Sequence, residues 1–148
     1  MLESVAMNVE ENPTCGTFWI DLPKVADERG ALSFVHQGEH LPFDFERVYY
    51  LTELSSVYAR GFHAHKQLKQ AAFCLSGSCK ILFDDGLMKY EAVLNKADKG
   101  IYIPPMVWHE MHDFSDDCVF LVFASDQYDE SDYIRDYREF TKLLSVVK

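Results

Sequence analysis

Two histidines separated by a single residue mark the stretch of this sequence best suited to chemistry. His63 and His65 lie in the run RGFHAHK, which has the composition of a β-strand. Because side chains alternate between the two faces of a strand, both imidazoles point to the same side. Imidazoles are costly to bury without partners, so this pair is an unusual choice for core packing alone. We therefore predict that this strand forms the floor of an active site.

The spacing of these histidines and of a later one resembles the two motifs of the cupin jelly roll. Many cupins hold a divalent metal with two histidines and a glutamate of the first motif and a histidine of the second. Those positions fall here on His63, His65, Gln70 and His109. Gln70 lacks the negative charge of the glutamate, which weakens binding of iron or manganese. Three imidazoles could still hold zinc or nickel, but we expect no functional metal.

The rest of the chain supplies the elements that must position these side chains. Runs of apolar, aromatic and β-branched residues recur with turn signals such as Asp85-Gly86 between them, at the spacing of about 8–12 residues typical of all-β folds. We predict an all-β sandwich or barrel. Residues 129–148 place apolar side chains at helical spacing, which predicts a short C-terminal helix or a strand packed across the sheet. Residues 1–13 are expected to form a flexible leader and 14–148 the domain.

Composition and charge narrow the class of protein. The 148 residues are 48% hydrophobic and 14% aromatic, which favours a packed globular domain over disorder. A net charge of −10 argues against nucleic-acid binding. The sequence shows neither an apolar run of membrane-spanning length nor a basic secretory signal at its start. The four cysteines form no CxxC pair and suit a reducing compartment, so we expect a cytoplasmic protein that binds neither nucleic acid nor membrane.

Longer motifs give a narrower resemblance. The segments RGFHAHK, YIPPMVWHEM and SDYIRDYREF, with the sequence around them from about residue 14 onward, resemble the sugar 3,4-ketoisomerases, the WxcM-like cupins. The resemblance implies a homodimeric jelly roll without metal or other cofactor that converts dTDP-4-oxo-6-deoxy-D-glucose to a dTDP-3-oxo-6-deoxyhexose. It also implies that an aminotransferase then uses the product to make dTDP-3-amino-3,6-dideoxyhexoses for lipopolysaccharide or S-layer glycans.

Two other hypotheses remain open from the sequence. One is a metal-dependent cupin enzyme such as a dioxygenase, and the other is a module that binds a dTDP-sugar without catalysis. Under the ketoisomerase hypothesis His63 is the expected base and His65 its partner or a second acid/base, because imidazole titrates near neutral pH. Tyr49 alternates onto the same face as Arg47 and is the candidate proton shuttle.

The substrate-binding candidates are Arg29, Arg47, Arg60, Gln70, Tyr102, Trp108 and His109. Arg47 and Arg60 are expected to bind the diphosphate, because planar guanidinium groups suit phosphate oxygens. Arg29 lies in a turn that the resemblance implies comes from the partner subunit. We expect Trp108 either to stack on the thymine at the pocket mouth or to pack in the core. Tyr102 has the same two alternatives, cavity lining or core.

Overall fold

The computed structural model describes residues 13–147, so the predicted leader lies outside the described residues except for Pro13. The strands are β1 (Phe18–Asp21), β2 (Lys24–Asp27), β3 (Gly30–Ser33), β4 (Arg47–Leu51), β5 (Arg60–His65), β6 (Gln70–Ser76), β7 (Cys79–Asp84), β8 (Lys89–Leu94), β9 (Lys99–Ile103), β10 (Trp108–His112), β11 (Val119–Ala124) and β12 (Tyr133–Ile134). A 3-10 turn at Glu130–Asp132 precedes β12, and the helix α1 spans Tyr137–Val147. The all-β prediction is confirmed, and the tail contains both a short strand and a short helix.

Two five-stranded sheets form the body of the fold. Sheet 1 has the strand order β1-β9-β6-β11-β4 and sheet 2 the order β12-β5-β10-β7-β8, while β2 and β3 form a separate hairpin. The strands pair antiparallel, and their side chains alternate between interior and surface, as in β8, where Tyr90 and Ala92 are buried and Glu91 is exposed. One buried cluster unites residues of both sheets, including Ala72 of sheet 1 and Ile81 of sheet 2. This face-to-face packing is the jelly roll that the cupin resemblance implies.

Other elements cover the outer faces of the two sheets. Helix α1 lays Phe140 against Ala64 and Trp108 on the outer face of sheet 2. The segment between β3 and β4 places Leu41 and Phe43 over the outer face of sheet 1. Helix α1 and this segment pack on the outer faces only, so the space between the two sheets forms a separate interior. Among residues 13–147 there is no helix with the length and hydropathy that a membrane span requires.

Candidate active site

Three histidines converge at one end of the interior. The ring centroid of His63 lies 5.0 Å from that of His65 and 4.7 Å from that of His109, and the last two are 6.1 Å apart. His63 and His65 come from β5, whereas His109 comes from the adjacent β10, where it is the register partner of His63. His65 and His109 are both only 3% exposed. The structure therefore brings the two predicted catalytic histidines together with the histidine of the second cupin motif.

A glycine at the start of β5 makes this approach possible. Gly61 has a φ of 94°, in the left-handed region that favours glycine, and Phe62 follows at 61°. A Cβ atom at Gly61 would lie 2.9 Å from the backbone oxygen of His109, closer than real Cβ contacts. The ladder between β5 and β10 shifts register directly after His109. This bulge lets the strands approach closely and keeps His63 opposite His109.

The Nδ1 atom of each imidazole faces a hydrogen-bond acceptor. In His63 it lies 3.1 Å from the backbone oxygen of Gly61, and in His109 it lies 3.3 Å from that of Val107. A carbonyl oxygen only accepts, so these Nδ1 atoms carry the hydrogen and leave Nε2 as the basic nitrogen. In His65, Nδ1 lies 3.3 Å from Oδ2 of Asp132, at ion-pair distance but outside hydrogen-bond geometry.

Burial keeps the three imidazoles neutral. Loss of solvation lowers the pKa of His63, lowers that of His65 to about 4, and holds that of His109 well below its usual value. The mutual proximity of the rings lowers the pKa of His65 and His109 further, because a proton on His63 would repel a proton on either neighbour. Near pH 7 the cluster therefore presents neutral bases rather than cations.

A tyrosine from the opposite sheet completes the catalytic set predicted from the sequence. Tyr49 of β4 accepts a hydrogen bond of 2.9 Å on its hydroxyl oxygen from Nε2 of Gln70. Burial raises the pKa of Tyr49 to about 12, so the phenol keeps its proton. Because Gln70 already donates to the oxygen, the phenolic hydrogen is left for a different acceptor.

Several buried polar atoms at this site lack a partner. Within the described part of the chain, the buried side-chain atoms without a hydrogen bond are Nε of Arg47, Oε1 of Gln70 and both ring nitrogens of His65. The guanidinium of Arg47 stacks 5.1 Å from the ring centroid of Tyr49 and 5.9 Å from that of Tyr128. Unpaired buried polar groups are costly, and their concentration here is typical of a site that a polar ligand completes. Arg47 and His65 line a cavity of about 370 Å³.

The segment before helix α1 forms one wall of this cavity and holds residues that sequence analysis did not assign. The ring centroid of Tyr133 lies 4.3 Å from that of His65 and 5.0 Å from that of His63. The guanidinium of Arg135 stacks 4.1 Å from the same tyrosine ring and pairs with Glu130 at 2.9 Å. Tyr133 and Arg135 both lie in the motif SDYIRDYREF, but the apolar periodicity of this motif indicated only that the segment packs against the sheet.

Two predicted binding residues face away from the histidines. Trp108 packs on the outer face of sheet 2 against Tyr137, with ring centroids 5.3 Å apart, because its neighbour His109 occupies the inner face. Tyr102 stacks on Phe18 at 4.8 Å on the outer face of sheet 1. Within one chain, neither side chain lines the cavity beside the histidines, so thymine stacking by Trp108 and cavity lining by Tyr102 stay untested predictions.

Two predicted arginines occupy exposed positions. Arg29 lies in the tip of the β2–β3 hairpin, where it pairs with Asp27 at 2.6 Å, and its side chain is 86% exposed. It does not line the cavity beside the histidines, as far as residues 13–147 of one chain show. Arg60 begins β5 and is exposed. Its positive charge lies close enough to Tyr49 to lower the pKa of that phenol, although burial raises the same pKa by more.

Among residues 13–147, the donor atoms of three groups of residues are close enough to hold a metal ion. His63, His65 and His109 form one group, the buried thiols of Cys74, Cys79 and Cys118 a second, and the surface residues His36, Glu39 and His40 a third. The first group contains no carboxylate, because the glutamate position of the metal-binding cupin motif is taken by Gln70, whose amide donates to Tyr49. Three neutral imidazoles suit zinc or nickel better than iron or manganese.

Comparison with known proteins identifies relatives over nearly the whole chain. The family model described as FdtA: WxcM-like, C-terminal, matches residues 15–145. A TDP-4-oxo-6-deoxy-alpha-D-glucose-3,4-oxoisomerase of Aneurinibacillus thermoaerophilus is 47% identical over 128 residues, which cover 86% of this chain and 92% of the relative.

Solved structures give the same result. The 3,4-ketoisomerase QdtA from Thermoanaerobacterium thermosaccharolyticum, a histidine-to-asparagine mutant in complex with TDP-4-keto-6-deoxyglucose, matches with a TM-score of 0.87 and 38% identity over 90% of this chain and 96% of its own. A 3,4-ketoisomerase from Helicobacter canadensis matches with a TM-score of 0.86 and 35% identity, over 89% and 99% of the two chains.

Proposed function

The chain belongs to the FdtA (WxcM-like, C-terminal) family, and we propose on that premise that it is a cofactor-free 3,4-ketoisomerase. Its substrate is dTDP-4-oxo-6-deoxy-D-glucose, in keeping with the TDP-linked 4-keto sugars of its relatives. The reaction moves the ketone from carbon 4 to carbon 3 of the hexose and needs no external oxidant, since one carbon is reduced as its neighbour is oxidised.

The first step removes the proton on carbon 3, which the adjacent ketone makes acidic. Nε2 of His63 accepts it, because Nδ1 of that ring faces the carbonyl of Gly61 and burial favours the neutral imidazole. The electron pair of the broken C–H bond forms a double bond between carbons 3 and 4. Negative charge then develops on the oxygen at carbon 4, which needs a hydrogen-bond donor to stabilise it.

The second step places a proton on carbon 4. His65 transfers the proton of the carbon 3 hydroxyl to the oxygen at carbon 4, so that the new carbonyl forms at carbon 3. Tyr49 donates its phenolic proton to carbon 4 and regains one from protonated His63. A pKa of about 12 for Tyr49 makes this regain favourable. All atoms and charges balance within the substrate and these three side chains.

Arg47 is the side chain best placed to bind the anionic part of the substrate. Its Nε atom is buried without a partner beside the cavity, although the guanidinium is held by stacking on two tyrosines. A diphosphate oxygen would satisfy this donor through a charge-assisted hydrogen bond. Arg60 and Arg29 stay predictions as further diphosphate ligands, with Arg29 reaching the site from a second subunit.

The observation that carries the proposal is the convergence of three buried, neutral imidazoles beside a cavity that His65 and the partly unpaired Arg47 line. Incubating the protein with dTDP-4-oxo-6-deoxyglucose in heavy water and following the sugar by NMR tests it directly. We expect a 3-oxo product with deuterium at carbon 4. Binding of the sugar nucleotide without exchange at carbon 3 or carbon 4 would instead identify a non-catalytic binding module.

The three-histidine cluster favours one other function, that of a metal-dependent cupin enzyme. Elemental analysis and an activity assay after exhaustive chelation separate the two. The ketoisomerase proposal expects full activity after chelation and no stoichiometric metal. Chelator-sensitive activity, restored by zinc or nickel, would favour the metal enzyme.

We also propose that the protein is a homodimer in which the β2–β3 hairpin contributes to the interface. The hairpin forms a sheet of its own, and its cross-strand partners Val25 and Leu32 are 62% and 61% exposed. An apolar pair on a projecting hairpin suits contact with a second copy. Light scattering should give a dimer that Val25→Asp with Leu32→Asp dissociates, whereas Val57→Asp, at an exposed loop valine, should not. A monomeric wild-type protein would contradict this.

The product suggests the reaction that consumes it. A ketone at carbon 3 is the group that a pyridoxal-phosphate aminotransferase converts to an amine, so we place the enzyme in the synthesis of dTDP-3-amino-3,6-dideoxyhexoses for lipopolysaccharide or S-layer glycans. The four cysteines are free thiols, which supports the cytoplasm as its compartment. Adding such an aminotransferase and an amino donor to the assay should yield the 3-amino sugar.

A further inference from the structure

We infer that Asp132 is a positioning residue for His65, whose carboxylate at ion-pair distance favours a hydrogen on Nδ1, so that the Nε2 lone pair points into the cavity. Oδ2 of Asp132 lies 3.3 Å from Nδ1 of His65. The histidine is 3% exposed and the side chain of Asp132 18% exposed, so water competes little for either group. The inference rests on the proposed function for its effect on catalysis, but the orientation of the ring can be measured without it.

The carboxylate of Asp132 is itself held in place. Oδ1 accepts the backbone N–H of Gln67 at 2.9 Å, and Oδ2 accepts that of Leu68 at 3.2 Å. The backbone N–H of Lys66 donates to the backbone oxygen of Asp132 at 2.9 Å. These bonds join the turn after β5 to the segment before α1. The group that faces His65 therefore has a fixed position before any substrate binds.

The other two histidines show why His65 needs this partner. Gly61 and Val107 present backbone carbonyls to Nδ1 of His63 and His109, respectively. The side chain of Asp132 takes the corresponding place beside His65. The partner of one ring nitrogen decides which nitrogen of an imidazole carries the hydrogen. A carboxylate also stabilises the imidazolium that forms when His65 carries a proton between the two substrate oxygens.

Asp132 could alternatively serve only as a clamp for the turn after β5. Asp132→Asn distinguishes the two roles if its oxygen keeps the shorter backbone bond, from the N–H of Gln67, because its NH2 group then takes the place of Oδ2 and turns a donor toward His65. Nδ1 must then act as acceptor, so the hydrogen moves to Nε2 and the base facing the cavity is lost. If Asp132 only holds the turn after β5, the ring hydrogen of His65 should stay on the same nitrogen in the variant.

Asp136→Asn is the matched control. Oδ1 of Asp136 accepts the backbone N–H groups of Arg138 and Glu139, so this variant also weakens a carboxylate that holds two backbone amides in the C-terminal segment. No hydrogen bond or ion pair between Asp136 and a histidine is found within residues 13–147. A loss of activity that comes from loosening this segment would appear in both variants, whereas loss of ring orientation would appear in Asp132→Asn alone.

The test combines ¹⁵N NMR of the histidine rings with steady-state kinetics. In the wild type we expect His65 to carry its hydrogen on Nδ1, and in Asp132→Asn on Nε2. We expect kcat to fall by about 10²–10⁴, the range of general acid–base catalysis, with KM nearly unchanged. Asp136→Asn should retain wild-type values of both.

Each failure has a distinct meaning. Wild-type His65 with its hydrogen on Nε2 would overturn the inference even if Asp132→Asn does not fold. An unchanged kcat in a folded Asp132→Asn variant would also overturn it. A wild-type protein without ketoisomerase activity would refute the proposed function, while the NMR measurement would still decide the orientation of His65.

Discussion

Nε2 of Gln70 in β6 donates a hydrogen bond of 2.9 Å to the hydroxyl oxygen of Tyr49 in β4, on the far side of β11 in sheet 1. Gln70 occupies the position at which the metal-binding cupin motif has a glutamate. An amide at this position gives up a metal ligand and supplies a donor to the phenol oxygen instead. Since that oxygen already accepts a bond, the phenolic hydrogen is left for the substrate. One substitution in the motif therefore accounts both for the weakened metal site and for an oriented tyrosine.

Replacing Gln70 by glutamate should reverse both effects. The carboxylate would accept the phenolic hydrogen of Tyr49, so that kcat falls by at least about tenfold. It would also complete a site of three histidines and one carboxylate that suits iron or manganese. Calorimetric titration with manganese should show binding in Gln70→Glu and none in the wild type. Equal activity of the two proteins would contradict the role given to this hydrogen bond.

His63→Asn and His65→Asn should each abolish turnover, because asparagine fills a similar space but cannot take up a proton near neutral pH. We expect kcat to fall by about 10²–10⁴ with the fold retained by circular dichroism. His112→Asn is the matched control, since His112 lies on β10 but its ring pairs with Glu110 instead of joining the cluster. Wild-type activity in both single variants would remove the acid/base assignment.

Tyr49→Phe should separate the two proton transfers. The variant keeps the base that attacks carbon 3 but lacks the proton donor for carbon 4. In heavy water we therefore expect continued exchange of the hydrogen on carbon 3, while product formation slows by about 10²–10³. Measuring both by NMR in one sample checks this. If exchange and product formation slowed equally, Tyr49 would act before or during the first step instead.

The buried histidines should make the fold sensitive to acid. The pKa of His65 is lowered to about 4 in the folded protein, chiefly by burial, from its ordinary value of 6.5. Between these pH values the unfolded chain binds more protons, so the free energy of unfolding falls as the pH falls. His65 contributes on the order of 3 kcal/mol to this change in the free energy of unfolding, and the stability it provides is present in full above pH 6.5.

Urea unfolding of the wild type and of His65→Asn across this pH range measures that contribution. The wild type should lose more stability between pH 6.5 and 4 than the variant does. Parallel curves for the two proteins would show that His65 is not held neutral by the fold. The remaining slope in the variant includes the contributions of His63 and His109, whose pKa values are lowered in the same direction, and that of Glu130, whose pKa is lowered to about 2.

The sequence by itself determined the features that follow from local backbone geometry and from family motifs. Alternation along a strand places His63 and His65 on one face, whatever the rest of the fold does. The same rule puts Tyr49 on the same face as Arg47, and both line the interior of sheet 1 beside the cavity. The recurrence of short strands predicted the all-β sandwich, which is confirmed.

Only the tertiary structure decided which face of each strand is the interior and which distant segments meet. Alternation separates Trp108 from His109 but does not say which one faces the cavity, and pairing of β10 with β5 turns the histidine inward. Asp132 and Tyr133 reach the histidines because Tyr133 pairs with His65 across nearly 70 positions of sequence. Such contacts depend on strand pairing over long separations, which the spacing of residues within one segment does not encode.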